Sequence, residues 1–272
     1  MAAVPALSAG SWRTAMITPL GEILAPPRMA GTAVRLGLQV FLVVCLWRGL
    51  YAGSATMVGI GRDQAVTFAV LAVLATRIRG LDRYTGRDEV VQHMQYGTIA
   101  YWFLRPISPH RYYVLRAVGD QLYGFAWVLC GYLACLPLGF VQPPVSVAVA
   151  GVFVVALVLG QLVLLHIMML IDLLCFWTLR NNGAMLILVF AQNLLSGVYA
   201  PLWYFPHWFV TFSGLLPFQA TLNVPLSLYI GRIPLADAPA ALTVQLGWAL
   251  ALALFTRWLW HRAAQRVVAQ GG

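Results

Sequence analysis

Six long apolar stretches constrain the fold of this chain more than any other feature of its sequence. They cover residues 36–52, 64–78, 118–141, 147–171, 184–200 and 240–260. A helix that crosses the hydrocarbon core of a bilayer needs about 20 apolar residues. Hydrophobic residues make up 61% of the chain and charged residues 9%, whereas soluble domains carry about 25% charged residues. The sequence therefore predicts an all-α membrane protein, a single domain over residues 1–272 with six transmembrane helices.

The second of these stretches, residues 64–78, is the weakest because it is short and bounded by charge. Arg62 and Asp63 precede it, and Arg77 and Arg79 lie at its other end. An arginine can lay its methylene stem along the apolar core while its guanidinium reaches water. We therefore expect these terminal arginines to lengthen the span by snorkelling.

The basic residues, all 17 of which are arginines, are distributed asymmetrically about the predicted spans. With six spans both termini lie on one side of the membrane, and 14 arginines fall on that side. Only Arg48, Arg62 and Arg232 fall on the other. Because cytoplasmic loops carry the excess of basic residues, we expect both termini and the loop between spans two and three to be cytoplasmic. The net charge of +9 then requires no nucleic-acid partner.

The absence of lysine excludes several kinds of site from this chain. A P-loop, a Schiff base and a Ser-Lys dyad each need a lysine amine. The metalloprotease pattern H-E-x-x-H and the hydrolase pattern G-x-S-x-G are absent as well. The five histidines have no spacing that places two of them on one helical face. We therefore expect no catalytic residue, no metal site and no cofactor bound by this chain, which is not predicted to be an enzyme.

Four polar residues inside the predicted spans are candidates for a substrate path. Gln161 and His166 lie in span four, and Gln192 and Asn193 lie in span five. A polar side chain inside a bilayer needs a partner or a water-filled path. Two interpretations stay open at this point, namely hydrogen bonds between helices and contact with a transported compound.

Two aspartates, Asp120 and Asp172, lie near the cytoplasmic ends of their spans. We expect both carboxylates to be hydrated there, since an ionised group is costly to bury. Neither residue lies deep enough to serve as an ion-coupling acid at the bilayer midplane.

Further helices are predicted outside the six spans. Apolar residues recur at helical spacing over residues 12–24, which predicts an interfacial helix on the inner leaflet that ends at Pro26 and Pro27. The outer segment before span six, residues 201–239, is dense in aromatic residues and proline. Proline interrupts helices, so this segment predicts short external helices in the outer headgroup belt.

The cytoplasmic loop between Arg77 and Arg116 is long, and part of it has helical periodicity. Thr85 and Asp88 form a pattern typical of a helix start, and Arg105-Pro106 ends the helix because the residue before proline disfavours the α region. Periodicity alone is equally typical of a helix that rests on the inner leaflet. The apolar face of this helix, residues 85–104, consists of Val90, Val91, Met94, Thr98, Tyr101 and Trp102.

Two motifs resemble those of ABC-2 type transporter permeases, the transmembrane subunits of bacterial ABC exporters. The first is "GTIAYWFLRPISP", residues 97–109, after the second span, and the second is "LPFQATLNVPLSLYIGRI", residues 216–233, before the last span. The match is closest to the permeases of drug and viologen exporters. The sequence departs from the family pattern at "QHMQY", residues 92–96, where an acidic residue or an arginine is common.

The resemblance implies a permease subunit in the bacterial cytoplasmic membrane that exports a lipophilic or cationic drug-like compound. A separate ABC ATPase subunit would bind ATP and magnesium, and a second permease chain, identical or homologous, would complete the membrane part. The alternatives are a secondary carrier and a membrane scaffold subunit that transports nothing. The helix over residues 85–104 would be a coupling helix that docks on the ATPase, with contact residues Asp88, Glu89, Met94, Thr98, Tyr101, Trp102, Phe103 and Arg105.

Overall fold

The computed structural model describes residues 20–21, 23–79, 109–178 and 182–270. Within these residues it contains ten α-helices and one antiparallel pair of short strands, β1 (Thr56–Met57) and β2 (Ile60–Gly61). The helices in chain order are α1 (Pro26–Leu50), α2 (Arg62–Arg79), α3 (Pro109–Cys135), α4 (Val147–Leu173), α5 (Cys175–Thr178), α6 (Asn182–Leu195), α7 (His207–Gly214), α8 (Phe218–Thr221), α9 (Asn223–Tyr229) and α10 (Ala238–Gln270).

Three helical stretches of the described chain are long and apolar enough to cross a membrane. They cover Pro26–Leu50, Val147–Thr178 and Leu235–Ala263. The second and third of these contain the fourth and sixth predicted spans, whereas Pro26–Leu50 begins ten residues before the first predicted span, 36–52. Helices α2, α3 and α6 lie over the other three predicted stretches. Helix α6 contributes a shorter apolar stretch, Gly183–Leu195. The protein is therefore a helical membrane protein.

The ends of two helices follow from local sequence. Pro26 and Pro27 occupy the first turn of α1, where a missing N–H costs nothing because it would have no partner in the helix. Helix α3 ends six residues before the predicted end of span three, because Gly139 adopts a positive φ of 65°. The Phe140 N–H then donates to the Cys135 carbonyl and the Gly139 N–H to the Leu136 carbonyl, each at 3.1 Å. These two bonds form a Schellman cap that satisfies the last carbonyls of the helix.

Helix α2 lies at the centre of one core, and two glycines on α3 allow a close approach to it. A Cβ on Gly124 would lie 2.6 Å from the Ile78 Cα, and a Cβ on Gly131 would lie 2.5 Å from a Leu74 methyl group. Small residues at such crossings let helix backbones pack closely. Leu74, which Gly131 faces, is completely buried, and so is Phe68 of the same helix.

The C-terminal end of α2 is covered by protein rather than by water. Arg77 is only 8% exposed, and Gly124 brings α3 directly against the Arg77 carbonyl oxygen. The expectation that Arg77 reaches water by snorkelling is therefore wrong. The side chain of Arg79 lies outside the described residues.

The outer segment before α10 is built from short helical pieces, but one of them lies far deeper than expected. Two single 3-10 turns, Leu202–Tyr204 and Leu235–Asp237, flank helices α7, α8 and α9. Helix α8 contacts Gly160 of α4, and at 1.5 Å per residue Gly160 lies about 20 Å along α4 from Val147. The prediction that this whole segment stays in the outer headgroup belt is therefore wrong for α8. We call residues 218–229 the inserted segment.

Candidate functional site

The inserted segment meets α4 at a glycine whose missing side chain makes the contact possible. A Cβ on Gly160 would lie 2.5 Å from the carbonyl oxygen of Thr221 and 2.8 Å from that of Ala220. Ala156, one turn earlier on α4, is also completely buried. The backbone of the inserted segment therefore packs directly on the backbone of α4. The carbonyl groups of Ala220 and Thr221 are consequently buried in the bundle.

Gln245 of α10 binds these carbonyl groups. Its Nε2 donates to the carbonyl oxygen of Ala156 at 3.0 Å and to that of Ala220 at 2.6 Å. Because two carbonyl oxygens can only accept, the orientation of this amide is fixed. The Gln245 Oε1 is buried and has no hydrogen-bond partner among the described residues.

Gln192 of α6 approaches the inserted segment through the next residue. The Thr221 hydroxyl donates to the Phe218 carbonyl at 2.7 Å, so the Thr221 Oγ1 accepts from the Gln192 Nε2 at 2.5 Å. This contact holds the Gln192 side chain against the inserted segment. The Gln192 Oε1 is likewise buried without a partner in the described part of the chain.

Gln161 of α4 is the third buried glutamine, and it is 2% exposed. Neither atom of its amide group has a partner in the ranges that the structure describes. Leaving such a buried donor or acceptor without a partner costs about 1–3 kcal/mol.

Gln192 and Gln245 bind neighbouring residues of the inserted segment, and Gln161 follows Gly160, which that segment touches. Leu164 of α4, Leu188 of α6 and Ala249 of α10 pack together in one apolar cluster. Residues three or four apart share a helix face, and each glutamine lies three or four positions from one of these residues. The glutamines of α6 and α10 lie toward the end of α6 and the start of α10, between which the inserted segment lies in the chain, and the apolar cluster lies one turn away from them.

Two further buried oxygen atoms lie in the same region. The Ser196 Oγ, one turn after Gln192, has no partner among the described residues. The Asn223 Oδ1 also has none there, and it would lie 3.5 Å from a Cβ on Gly197, the residue after Ser196. The set formed by these residues is called the glutamine cluster below, and it consists of Gln161, Gln192, Gln245, Ser196, Thr221 and Asn223.

The structure separates the four predicted substrate-path residues into two pairs. Gln161 and Gln192 belong to the glutamine cluster, whereas His166 and Asn193 do not. The His166 Nδ1–H donates at 2.7 Å to the Leu162 carbonyl of its own helix. The Asn193 Nδ2 donates at 3.4 Å to the hydroxyl of Tyr199, just beyond the end of α6.

Sequence reasoning missed four members of the cluster. Gln245 lies inside the sixth predicted span, so the rule that polar residues in spans are costly identifies it. Ser196 lies inside the fifth predicted stretch and is identified by the same rule, although a hydroxyl is a weaker signal. Thr221 and Asn223 carry no such signal, because they belong to a segment whose composition is typical of a surface.

Asp172 is also placed differently from the expectation. It is 4% exposed, and the Tyr113 hydroxyl of α3 donates to its Oδ2 at 2.6 Å. The expectation that Asp172 is hydrated is therefore wrong. Asp120 is partly exposed.

A hydrogen-bonded tyrosine pair closes the outer end of α1. The Tyr51 hydroxyl donates to the Ile60 carbonyl at 3.3 Å and lies 2.6 Å from the Tyr204 hydroxyl. Burial and the hydrogen bond with Tyr204 raise the pKa of the Tyr51 phenol. This pair ties α1 and the strand hairpin to the outer segment.

The eight predicted ATPase-contact residues, from Asp88 to Arg105, lie outside the described residues, as does most of the predicted N-terminal interfacial helix. The ATPase contacts therefore stay predictions. The two helices that flank residues 85–104 are described, and they are α2 and α3.

A family of known proteins matches most of this chain. A family model described as ABC-2 family transporter protein matches residues 38–271. Neither the curated proteins nor the solved structures contain a significant match. The matched range includes the helical bundle, the whole glutamine cluster and the loop between α2 and α3. The resemblance noted in the sequence is thus confirmed for the family, and the chain belongs to the ABC-2 family of transporter proteins as a membrane subunit.

Proposed function

We propose that this chain is the permease subunit of an ATP-driven exporter in the bacterial cytoplasmic membrane. It crosses the membrane six times with both termini in the cytoplasm, and it exports a lipophilic or cationic drug-like compound, as in the drug and viologen exporter subgroup. The observation that carries the proposal is the family match over residues 38–271. That range joins the helical bundle to the predicted coupling helix in one domain.

The energy source in this proposal is a separate ABC ATPase. The chain contains no lysine and therefore no P-loop of its own, because the P-loop uses a lysine to bind the phosphates. ATP and magnesium are bound by the partner, and the helix over residues 85–104 docks on that partner. A second permease chain, identical or homologous, completes the complex.

The packing of α2 against α3 supports this role for the loop between them. The loop leaves α2 at Arg79 and enters α3 at Pro109. The two helices are locked together at Gly124 and Gly131, where added side chains would collide with α2. A displacement of the loop would therefore move both helices together and would reach the core of the bundle around Phe68.

Reconstitution tests the proposal directly. The full chain is inserted into vesicles with a candidate ABC ATPase from the same organism, and export of a labelled lipophilic dye is followed with ATP on the cytoplasmic side. We expect transport that needs hydrolysable ATP and the ATPase subunit. Transport driven by an ion gradient without the ATPase would identify a secondary carrier instead, and a complex that hydrolyses ATP but moves no compound would favour a scaffold subunit.

A further inference from the structure

The two faces of α10 differ in their surroundings near the C-terminal end of the helix. One face packs into the bundle, and it consists of Thr256, Leu259, Trp260 and Ala263. The Trp260 ring meets the Phe176 ring edge-on, with the two centroids 6.4 Å apart. The opposite face is exposed, and it consists of Leu254, Phe255, Arg257, Trp258, His261 and Arg262. Because the packed face holds the helix against the bundle, the exposed face has a fixed orientation.

The exposed face changes in character along the helix, from apolar through aromatic to basic. Leu250 and Leu254 are exposed apolar side chains. The Phe255 and Trp258 rings then stack with their centroids 5.7 Å apart and their planes 17° from parallel. One turn later the Arg262 guanidinium carbon lies 5.4 Å from the centroid of the Trp258 ring. A phospholipid has its groups in the same order, from the acyl chains through the glycerol backbone to the phosphate.

The position of the basic residues along α10 corresponds to the edge of a bilayer. The stretch Leu235–Ala263 is long and apolar enough to cross a membrane. At 1.5 Å per residue, Arg257 lies about 28 Å along the helix from Ala238, and the hydrocarbon core is about 30 Å thick. Tryptophan is enriched at the level of the headgroups, where this measure also places Trp258. The arginines that follow the apolar part of this face therefore lie at the depth of lipid phosphates.

The charge of this face is positive and is not balanced by neighbouring acids. Helix α10 contains neither aspartate nor glutamate. In the part of the chain that the structure describes, no carboxylate oxygen lies within 4.0 Å of the guanidinium of Arg257 or Arg262. Asp172 of the neighbouring α4 is buried, and its carboxylate accepts a hydrogen bond from Tyr113. Since arginine binds phosphate through both its charge and its paired N–H groups, this face is complementary to a phosphate.

We propose that the exposed face of α10 binds an anionic phospholipid. Arg257 and Arg262 bind its phosphate, and an acyl chain lies along Leu250 and Leu254. The Trp258 ring holds the Arg262 guanidinium in place, so less side-chain freedom is lost when the phosphate binds.

A lipid fits this face better than a soluble protein partner does. Leu254 and Leu250 lie one and two turns from Trp258, on the side toward the middle of the spanning helix. A protein that covered them would have to enter the bilayer, whereas the acyl chain of a lipid is already there.

Native mass spectrometry of the full chain tests the proposal. The protein is released from detergent micelles that contain equal amounts of phosphatidylglycerol and phosphatidylcholine with the same acyl chains, and the lipids retained are counted. We expect the wild type to retain phosphatidylglycerol preferentially. Arg257→Gln and Arg262→Gln should each lower that preference about fivefold, the contribution of one basic residue near anionic lipid. Arg262→Lys keeps the charge and should retain most of the preference.

The matched control is Arg232→Gln. The Arg232 guanidinium also lies over a tryptophan ring, 4.8 Å from the centroid of Trp203, but it belongs to the outer segment before α10. This variant loses the same charge and the same kind of ring contact as Arg262→Gln. We expect it to retain phosphatidylglycerol as the wild type does.

Four results would overturn the proposal. Equal retention of the two lipids by the wild type would mean that the face does not select an anionic headgroup. An equal loss of preference in Arg232→Gln and Arg257→Gln would mean that net charge alone attracts the lipid. Displacement of the retained lipid by soluble glycerol 1-phosphate would mean that the face binds any phosphate. Unchanged lipid retention in both test variants, with lost co-purification of the candidate ABC ATPase, would assign the face to a protein partner.

The test does not depend on any one variant or on transport. If a glutamine variant cannot be purified, lipid retention by the wild type, with and without glycerol 1-phosphate, decides the question. A preference for phosphatidylglycerol in a chain that exports nothing would leave the lipid site standing and refute only the proposed function.

Discussion

Gly160 lies against the carbonyl oxygen of Thr221 so closely that a methyl group on Gly160 would come within 2.5 Å of it. We therefore expect Gly160→Ala to displace the inserted segment and to lower the unfolding free energy by about 1–3 kcal/mol, as overpacking of a core does. Gly151 on the same helix has no atom within 4 Å of the corresponding position, so Gly151→Ala is the matched control. Thermal unfolding in nanodiscs should show a lower midpoint for Gly160→Ala than for the wild type, and an unchanged midpoint for Gly151→Ala. Equal midpoints would mean that the contact is absent.

Gln245→Leu should also destabilise the bundle. The leucine keeps the volume but removes both hydrogen bonds to the Ala156 and Ala220 carbonyls, which leaves the buried Ala220 oxygen without that donor at a cost of about 1–3 kcal/mol. Gln142→Leu, at an exposed position, controls for the change of residue type. A stabilised Gln245→Leu variant in chemical unfolding would contradict the arrangement described above.

Gln192 and Asn193 are neighbours in sequence but differ in surroundings, so they form a matched pair for transport. Gln192→Leu should change the relative export rates of different compounds, because the residue belongs to the glutamine cluster. Asn193→Leu should leave those ratios unchanged, because Asn193 bonds to Tyr199 outside the cluster. Initial rates for a panel of dyes in reconstituted vesicles give the comparison. Altered ratios for Asn193→Leu alone would place the path elsewhere.

Introducing a negative charge into the predicted coupling helix tests whether that helix docks on the ATPase. Trp102→Glu and Arg105→Glu should each leave the protein inserted while reducing ATPase co-purification and export at least tenfold, since buried aromatic and arginine residues carry much of the energy of protein interfaces. Arg62→Glu makes the same reversal at an exposed arginine at the start of α2, the end of that helix away from the loop, and should have no such effect. Full co-purification and transport in both test variants would refute the docking role.

Stability should depend on pH through Tyr51, whose pKa is raised by burial and by the bond with Tyr204. An unfolded tyrosine loses its proton near pH 10, about its ordinary pKa, whereas folded Tyr51 keeps it. Above that pH the unfolded state binds fewer protons, so stability falls by at most about 1.4 kcal/mol per pH unit. Tyr51→Phe should flatten this part of the profile, and Tyr199→Phe, at an exposed tyrosine, should not. Identical slopes for the wild type and Tyr51→Phe would exclude the effect.

The helices of this protein could be located from its sequence because apolar stretches and capping residues, which are local features of the sequence, determine where helices form. The stretch 147–171 predicts α4 (Val147–Leu173) nearly to the residue, since a long run in which only Gln161 and His166 are polar follows Ser146, whose hydroxyl caps the helix. The sequence predicts that span three ends at residue 141, whereas α3 ends at Cys135. Gly139 is a local signal for the earlier end, because a glycine in the left-handed region caps a helix.

Contacts between distant parts of the chain could not be predicted in this way. The depth of α8 depends on Gly160, a residue of another helix, and the segment's prolines and aromatic residues are equally typical of a surface. The burial of Asp172 depends on Tyr113, 59 residues away in sequence. Of the candidate substrate path, the sequence predicted Gln161 and Gln192 because polar residues stand out in apolar helices, but it could not tell them from His166 and Asn193. That distinction requires knowing which helix faces are opposed.

The inserted segment also determines the order in which the chain can be assembled. Ala156 is synthesised 89 residues before Gln245, which binds its carbonyl oxygen, and Gln192 is synthesised 29 residues before Thr221. Until those later residues have been synthesised, Gly160 of α4 and the amide side chain of Gln192 on α6 lack these contacts and face lipid. The residues from 220 onward thus complete the packing of α4 and α6, and truncation before α10 should deliver a nascent chain to membrane quality-control proteases.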